Sequence, residues 1–253
     1  KTLVNNGTLS LNSGGVTVEG TLSYGAGSSI QNGSGTAITP TTTGNGSIST
    51  APVSASRLDF RFNAPDSVTE YVMTGGGTAK WEPGSNGTAN KLTLNGVTMT
   101  GDSYVVGVPA NTEIILIGTN KITATSANAL CAHNGTLKII GDGSLEVHAP
   151  ATKITDYAIG TNIGGSIDID ITGTLTVNGN IRANEGTLFL QSGDAISVIG
   201  SMYGKKSITA IAGKSLSIKN TSGNAVFASS CTEVSLAAQG GDLTVSGTGS
   251  SDY

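Results

Sequence analysis

The chain is poor in charge, in aromatic side chains and in the residues that favour helices. Of its 253 residues only 12% are charged and only 4% are aromatic, whereas charged residues make up about 25% of an average soluble domain. Glycine, threonine, serine and asparagine, which are weak helix formers, account for nearly half of the sequence. This composition excludes a helical bundle and a coiled coil, and it indicates an all-β protein.

Positive charge is scarce as well. The 13 Lys and Arg residues are outnumbered by 17 Asp and Glu residues, which gives a net charge of −4. The chain therefore offers no positive surface for phosphates, and we expect no nucleic-acid partner. No stretch approaches the roughly 20 apolar residues of a membrane span, so no transmembrane segment is expected.

The main positive feature of the sequence is an internal repeat. From about residue 91, a short segment with apolar residues two positions apart recurs seven times, at intervals of 20 to 30 residues. Alternation with a period of two predicts a strand with one buried face. The segments are KLTLNG (91–96), EIILIG (113–118), TLKIIG (136–141), SIDIDITG (166–173), TLFLQSG (187–193), SITAIAG (207–213) and EVSLAAQG (233–240).

A second alternating segment follows each of these, and a third follows each of the first six. In the second, one polar residue separates two apolar ones, and aligning the repeats predicts an outward column of Thr98, Thr123, Glu146, Thr176, Ser197, Ser217 and Thr244. The third segments align without gaps, and a small residue always stands at their fourth position. These small residues are Gly107, Ala132, Gly160, Ala183, Gly204 and Ala228. Such a column indicates a crowded corner or a close backbone approach.

Three strands per repeat describe a solenoid in which each coil adds one strand to each of three sheets. We therefore predict an all-β, right-handed, single-stranded parallel β-helix with three parallel sheets and about seven regular coils, spaced by about 4.8 Å. An antiparallel sandwich is the alternative, because turn signals recur every 8–12 residues there too. A sandwich does not predict one small residue in every third strand, so the solenoid is favoured.

The first part of the chain fits the repeat less well. Residues 29–52 are of low complexity, and several aromatic residues gather between residue 57 and Trp81. A solenoid needs terminal caps that hide its core and block edge pairing. We therefore predict two regions, with residues 1–90 forming irregular N-terminal coils or a cap and residues 91–253 forming the parallel β-helix.

The repeats KLTLNGVTMTG (91–101), GTLKIIGDGSLEVHA (135–149) and GSIDIDITGTLTVNG (165–179) show a likeness to a known fold family. They resemble the right-handed parallel β-helix proteins, the pectate-lyase-like fold. More narrowly, they are similar to β-helical carbohydrate-binding and adhesin-like surface proteins of bacteria. This resemblance implies an extracellular location on the bacterial cell surface, and a partner that is an extracellular glycan or a ligand on a host or cell surface.

Enzymes of that fold use clustered carboxylates, so the resemblance makes paired acidic residues the candidates for catalysis. Asp168 and Asp170 are two apart and point outward together, which makes them the best pair for glycoside chemistry and weak candidates for a metal site, with calcium as the ion. The repeat places Lys138 beside Asp168, and a surface ion pair between the two is the simpler interpretation. We predict no catalytic residue, no cofactor and no resident metal.

The two cysteines belong to coils that lie five repeats apart. Five coils put Cys131 and Cys231 about 24 Å from each other, whereas a disulfide requires Cα atoms within about 7 Å. We therefore predict two unbridged thiols. The spacings of His133 and His148 match no zinc motif.

The outward column of the third sheet is the candidate binding surface, because it is apolar where other outward columns are Thr and Ser. The alignment reads Val106, Cys131, Ile159, Arg182, Tyr203 and Phe227. Aromatic side chains beside polar groups suit a sugar ring, so the candidate ligand-binding residues are Arg182, Tyr203, Lys205 and Phe227. A covering loop, a partner or a second copy of the chain would explain the same column.

Three functions follow from these features. The preferred hypothesis is a non-enzymatic bacterial cell-surface module for adhesion or polysaccharide binding. The alternatives are a carbohydrate-active enzyme of the pectin lyase or hydrolase type, which would use Asp168 and Asp170, and a structural stalk within a larger surface protein. The sequence names neither the glycan nor the partner, and it leaves the oligomeric state open.

Overall fold

A computed structural model describes residues 53–150, 156–228 and 230–248 in full, and the backbone of seven short strands within residues 1–52. The chain forms two compact units, one of residues 1–54 with 69–71 and one of residues 55–68 with 72–253. Every regular element in the described residues is a strand, in agreement with the all-β prediction. No helix in this described part has the length and hydropathy needed to cross a membrane.

The described strands are numbered along the chain. They are β1 (Thr2–Asn5), β2 (Leu9–Leu11), β3 (Thr17–Val18), β4 (Thr21–Gly25), β5 (Ile30–Asn32), β6 (Thr41–Thr42), β7 (Ser47–Ala51), β8 (Val53–Ala55), β9 (Leu58–Asp59), β10 (Thr69–Met73), β11 (Thr78–Glu82), β12 (Asn90–Asn95), β13 (Thr98–Gly101), β14 (Val106–Val108), β15 (Thr112–Ile117), β16 (Thr119–Ala124), β17 (Leu130–Ala132), β18 (Leu137–Gly141), β19 (Ser144–His148), β20 (Ile159–Thr161), β21 (Ile167–Ile171), β22 (Leu175–Asn178), β23 (Ile181–Ala183), β24 (Thr187–Ser192), β25 (Ile196–Ile199), β26 (Met202–Gly204), β27 (Ser207–Ala212), β28 (Leu216–Asn220), β29 (Val226–Phe227), β30 (Glu233–Ala238) and β31 (Leu243–Gly247).

From β12 onward the strands build a parallel solenoid of about six turns with three sheets. The predicted all-β parallel solenoid with three sheets is thereby confirmed, with about six turns where the sequence predicted about seven coils. The first sheet stacks β12, β15, β18, β21, β24, β27 and β30, which overlap the seven segments that the sequence predicted as strands. The second stacks β13, β16, β19, β22, β25, β28 and β31, and the third stacks β9, β14, β17, β20, β23, β26 and β29. Each strand pairs in parallel with the strand of the next coil, as in β12 with β15.

The core consists of the inward side chains of these stacked strands. Leu92, Ile114, Ile139 and Ile169 follow one another in the first sheet and are all 0% exposed. Each fully buried Leu or Ile contributes roughly 1.5–3 kcal/mol of hydrophobic free energy. Because no single coil can bury its own apolar face, this free energy is gained only when neighbouring coils stack.

The two ends of the solenoid differ. At the N-terminal end, β11 pairs antiparallel with β12, and Trp81 on β11 is 1% exposed, packs on Phe60 with ring centroids 5.0 Å apart, and donates a hydrogen bond from Nε1 to the Pro65 carbonyl. At the other end, the inward residues of the last coil are about half exposed. These are Val234 (46%), Leu243 (49%) and Val245 (45%).

Asn120 holds one corner of the solenoid. Its side chain is fully buried, accepts a hydrogen bond from the Val97 amide at 3.1 Å, and donates to the Ile117 and Ser144 carbonyls at 3.2 and 3.4 Å. A buried amide with both its donor and its acceptor satisfied does not incur the 1–3 kcal/mol cost of an unpaired polar group. The bonds to Val97 and Ser144 also join three successive coils.

The strands of the N-terminal unit pair in parallel as well. β1, β4 and β7 form one sheet, while β2 pairs with β5 and β3 pairs with β6. Most of the low-complexity segment 29–52 lies outside the described residues.

The gapless alignment of the third sheet is wrong by one residue in its first and third coils. Gly107 pairs with Cys131 and not with Ala132, and Gly160 lies between Cys131 and Arg182. The small residues therefore do not form one column. Ala132, Thr161, Ala183 and Gly204 share a column in the structure, whereas Gly107 and Gly160 lie in the next one. The physical reason is that β14, β17 and β20 are buried on both faces, so their apolar pattern does not distinguish inward from outward positions.

The second sheet shows a slip of a different kind. Thr123 pairs with Thr100 and His148, not with Thr98 and Glu146 as the aligned column required. This shift is two residues long, and a shift of two leaves every side chain on its predicted face. From Glu146 onward the predicted column is correct, since Thr176, Ser197, Ser217 and Thr244 follow in register.

Candidate functional site

The outward column of the third sheet changes character along the solenoid. In register it contains Asp59, Gly107, Cys131, Gly160, Arg182, Tyr203 and Phe227. Val106 and Ile159, which the alignment placed in this column, lie in the neighbouring inward one. The first part of the column is covered by side chains of the chain itself, and the last part is half exposed.

An ion pair covers the start of this column. Asp59 Oδ1 and Oδ2 accept hydrogen bonds from Arg61 Nε and Nη2 at 2.7 and 2.8 Å. Burial works to raise the pKa of Asp59, but the hydrogen bond and charge of Arg61 outweigh it, and the pKa is lowered. The guanidinium also lies 3.5 Å from the centroid of the Tyr104 ring, a cation–π contact. Gly107 makes room for this group, since a Cβ there would lie 2.5 Å from Asp59 Oδ1.

Tyr157 covers the middle of the column. Its ring occupies the place of a side chain on Gly160, is 5% exposed, and its hydroxyl donates a hydrogen bond to Asn162 Oδ1. Beneath it, Cys131 is 0% exposed, and burial raises the pKa of its thiol to about 11. Burial also raises the pKa of Tyr157, with Cys131 as a second cause. Burial therefore disfavours the thiolate, which is the nucleophilic form of this side chain, at neutral pH.

The half-exposed part, which we name the aromatic column, consists of Arg182, Tyr203 and Phe227. The two rings are stacked, with centroids 5.5 Å apart and planes at 22°. The Arg182 guanidinium carbon lies 5.0 Å from the centroid of the Tyr203 ring. Strand register thus produces one continuous stack along the solenoid axis, with one side chain from each of three coils.

This stacking determines what the aromatic column can present to a ligand. Tyr203 has Arg182 on one side and Phe227 on the other, so its ring faces are turned toward its neighbours. The column therefore exposes ring edges, the phenol group and a guanidinium, and not the flat platform that the sequence suggested. Such a strip combines apolar contact with polar groups at intervals of about 4.8 Å along the axis.

Polar side chains border the aromatic column on the side where the third strands end. Arg182 Nε donates to Asn184 Oδ1 at 3.2 Å, which orients the guanidinium, and Asn184 Nδ2 donates to the Asn162 carbonyl at 3.4 Å. Lys205 forms an ion pair with Glu185, and this hydrogen bond raises the pKa of Lys205. Of the four residues predicted for ligand binding, three share one stack and Lys205 lies in this border.

The carboxylate pair of the first sheet lies on a different face. Asp168 and Asp170 belong to β21, and Asp170 Oδ1 accepts a hydrogen bond from Gln191 Nε2 at 3.1 Å. Asp168 lies in register with Lys138 and Phe189, as predicted. Among the described residues no group of three His, Cys, Asp or Glu side chains could hold a metal ion.

The predicted ion pair between Lys138 and Asp168 is wrong, because Lys138 pairs with Glu113 instead. Lys138 Nζ lies 2.5 Å from Glu113 Oε1, on the preceding coil. The hydrogen bond to Glu113 raises the pKa of Lys138, and the charge of Asp168 is a smaller contribution. Both carboxylates neighbour the lysine in register, and the longer glutamate side chain reaches the ammonium more readily.

Both cysteines are unbridged, as predicted. Cys231 is partly exposed, and its thiol donates a hydrogen bond to the Gly204 carbonyl at 3.0 Å.

The sequence did not reveal the residues that cover the first part of the column. Arg61, Tyr104 and Tyr157 come from outside the third-sheet strands, and their spacing follows no repeat. The sequence held one indication of this cover, the glycines Gly107 and Gly160. A Cβ at either position would collide with a covering side chain.

No family model, curated protein or solved structure matches the chain. The three parallel sheets define the class of the protein as a parallel β-solenoid.

Proposed function

We propose that this protein is a non-enzymatic binding module that holds an extended carbohydrate along the outer face of its third sheet. Within this proposal the coil is right-handed and of the pectate-lyase-like kind. The module is exported and displayed on a bacterial cell surface, where it serves adhesion or polysaccharide binding. The partner is an extracellular glycan or a ligand on another cell.

The observation that carries the proposal is the aromatic column itself. Arg182, Tyr203 and Phe227 are partly exposed in one straight stack, whereas the outward column of the second sheet consists mainly of Thr and Ser. Partly exposed aromatic and arginine side chains are the types that are enriched where proteins bind partners. Hydroxyl groups of a sugar find donors and acceptors in the guanidinium, the phenol and Asn184.

The test is binding of polysaccharides to the whole chain and to Tyr203→Ala and Phe227→Ala variants. Each substitution should weaken binding on the order of tenfold, the value of an aromatic contact worth roughly 1–1.5 kcal/mol. The matched control is Phe189→Ala, because Phe189 is a partly exposed aromatic residue on the outer face of the first sheet. Equal binding by all four proteins would contradict the assignment of this face.

The enzyme alternative has a separate test. Asp170 accepts a hydrogen bond from Gln191, and Asp168 lies beside Lys138. These are ordinary surface neighbours, which supports a structural role for both carboxylates. Release of reducing ends or unsaturated uronates from acidic glycans, lost in Asp168→Asn and Asp170→Asn variants, would favour catalysis instead. A stalk would show neither binding nor turnover.

A further inference from the structure

Four Asn–Gly pairs lie in the fully described part of the chain, and the proposed function uses none of them. They are Asn86–Gly87, Asn95–Gly96, Asn134–Gly135 and Asn178–Gly179. An asparagine followed by glycine loses its side-chain amide readily, because glycine has no side chain to hinder attack by its own backbone nitrogen on the asparagine. All four pairs share this chemistry, so the structure around each pair determines which of them reacts.

Two of the pairs are held by hydrogen bonds between coils. The Gly96 amide donates to the Ile117 carbonyl at 3.0 Å, and the Gly179 amide donates to the Ile199 carbonyl at 2.8 Å. Gly179 is buried as well. The reaction needs the glycine nitrogen as a nucleophile, so each of these nitrogens would first have to give up its hydrogen bond. The bonds between coils therefore protect the asparagines of both pairs.

The third pair, Asn134–Gly135, is only partly open. Asn134 is exposed, but Gly135 is half-buried. A Cβ on Gly135 would lie 3.6 Å from Ala110 Cβ on the preceding coil, and a Cβ on Gly165 of the next coil would collide with the Gly135 carbonyl. The peptide group that must rotate during the reaction is therefore confined between neighbours on two coils.

The fourth pair, Asn86–Gly87, lies in the loop between β11 and β12. The Thr88 amide donates to the Ser85 carbonyl at 3.0 Å, and the φ angles of Asn86 and Gly87 are 50° and 84°, which is the pattern of a type I′ turn. Both central residues are exposed, and a Cβ on Gly87 would meet nothing within 4 Å. Within the described residues the Gly87 amide donates no hydrogen bond. This glycine nitrogen is therefore accessible for the reaction.

We propose that Asn86 is a site of spontaneous deamidation and reacts faster than the other three asparagines. The Gly87 nitrogen loses its proton to hydroxide and forms a bond with Asn86 Cγ, the Cγ–Nδ2 bond breaks, and ammonia leaves. A water molecule then opens the resulting five-membered succinimide at either carbonyl, which gives aspartate or isoaspartate. The overall reaction consumes one water and releases one ammonia, and it needs no oxidant or reductant. It places a new carboxylate on the turn and adds one negative charge to the chain.

Peptide mapping by mass spectrometry tests this assignment on the folded chain, incubated at pH 8 in water enriched in heavy oxygen. Solvent oxygen enters the product when the succinimide opens, so it marks the asparagines that react during the incubation. Asn86 should react about tenfold faster than Asn95 and Asn178, a ratio equivalent to about 1.4 kcal/mol, which is similar to the net free energy of one hydrogen bond. Asn134 should react at an intermediate rate. Reaction of any of these three at the rate of Asn86 or faster would overturn the proposal.

The same chain unfolded in guanidinium chloride is the control for local sequence. Once the coils have separated, the four pairs differ only in their flanking residues, and they should react at similar rates. A preference for Asn86 that is as large in the unfolded chain as in the folded one would show that hydrogen bonding and packing play no part, and the structural assignment would be overturned.

Asn86→Gln is the control for the reacting atom. Asn86 is exposed in a turn, so the substitution leaves the packed coils intact. Attack by the backbone nitrogen on a glutamine side chain would have to close a six-membered ring, which forms more slowly. The peptide that contains residue 86 should therefore take up no heavy oxygen in this variant, while the rates at the other three pairs stay unchanged. Uptake at the rate of the parent protein would place the reaction at another residue and overturn the proposal.

Discussion

A side chain on Gly160 would collide with the Tyr157 ring, because a Cβ there would lie 2.5 Å from the ring carbon Cδ2. The glycine is required by what covers it and not by its own backbone conformation, since its φ angle lies outside the left-handed region. This contact divides the outer face of the third sheet into a covered part and the aromatic column.

The first prediction concerns this contact. Gly160→Ala should destabilise the fold by about 1–3 kcal/mol, because a methyl group forced into a packed site displaces the ring. Urea unfolding followed by circular dichroism measures the loss. The matched control is Gly223→Ala, where the nearest atom to a new Cβ is the Asn220 side chain at 3.4 Å and little change is expected. Equal stability of both variants would show that Tyr157 does not occupy this space.

The solenoid was predictable because its evidence is local. A period of two within each segment and an interval of 20–30 residues between segments both follow from the covalent chain. The first sheet illustrates this, since the alternating residues Leu92 and Leu94 in one predicted segment, and Ile114 and Leu116 in the next, are all 0% exposed.

Register and covering groups were harder to predict for a physical reason. The third-sheet strands are two or three residues long, and β17 consists of Leu130, Cys131 and Ala132, all buried. Because neither face of such a strand is polar, an alignment that is wrong by one residue still places apolar residues on both faces, and the sequence pattern does not reveal the error. The aromatic column was placed correctly because Arg182, Tyr203 and Phe227 belong to the later coils, where strand burial alternates or the strands are partly exposed.

The second prediction concerns the two thiols. Iodoacetamide at pH 8 should modify Cys231 and leave Cys131 unmodified, because Cys131 is 0% exposed and burial raises the pKa of its thiol to about 11. The thiolate is the reactive form, so at pH 8 very little of Cys131 is reactive. Peptide mass spectrometry locates the adduct, and unfolding in urea should make both thiols reactive. Modification of Cys131 in the folded protein would contradict the cover formed by Tyr157.

The third prediction concerns pH and Glu146. Its Oε1 accepts hydrogen bonds from Lys121 at 2.7 Å and from His148 at 2.6 Å, and these bonds lower the pKa of Glu146, the Lys121 bond most. A lowered folded pKa stabilises the protein above the unfolded value of about 4.3, and this stabilisation is lost as the pH falls through the folded pKa.

Glu146→Gln should therefore cost up to about 1 kcal/mol at pH 7, the usual limit for a surface pair. The difference from the parent protein should shrink steadily as the pH falls below about 4.3. Urea unfolding at a series of pH values measures it, with Glu233→Gln, an exposed carboxylate on the last coil, as the control. A difference that does not change with pH would mean that the carboxylate's charge plays no part.

The fourth prediction identifies the partner of Lys138. Double-mutant cycles combine Lys138→Met with Glu113→Gln in one case and with Asp168→Asn in the other. The first cycle should give a coupling free energy of about 0.2–1 kcal/mol, since Lys138 and Glu113 are 2.5 Å apart with both side chains partly exposed. The second cycle should give a smaller value, because Asp168 acts on the lysine only through its charge. The reverse order would restore the pairing that the sequence suggested.

The fifth prediction compares an interior coil with the last one. Leu175, Ile196, Leu216 and Leu243 follow one another in register in the second sheet, yet Leu175 is 0% exposed and Leu243 is 49% exposed. Leu175→Ala should destabilise the solenoid by about 2–5 kcal/mol, because it leaves a cavity between two stacked coils. Leu243→Ala removes the same atoms from a site with half its surface in contact with water, so it should cost about 1 kcal/mol or less.

Urea unfolding of both variants checks this comparison. Because the two residues share one column and one substitution, the comparison isolates the effect of their different burial, which is mainly the packing between coils. Equal costs would mean that the inward face of the last coil is as well packed as the interior. That result would contradict the exposure of Val234 and Val245, which lie on the same coil.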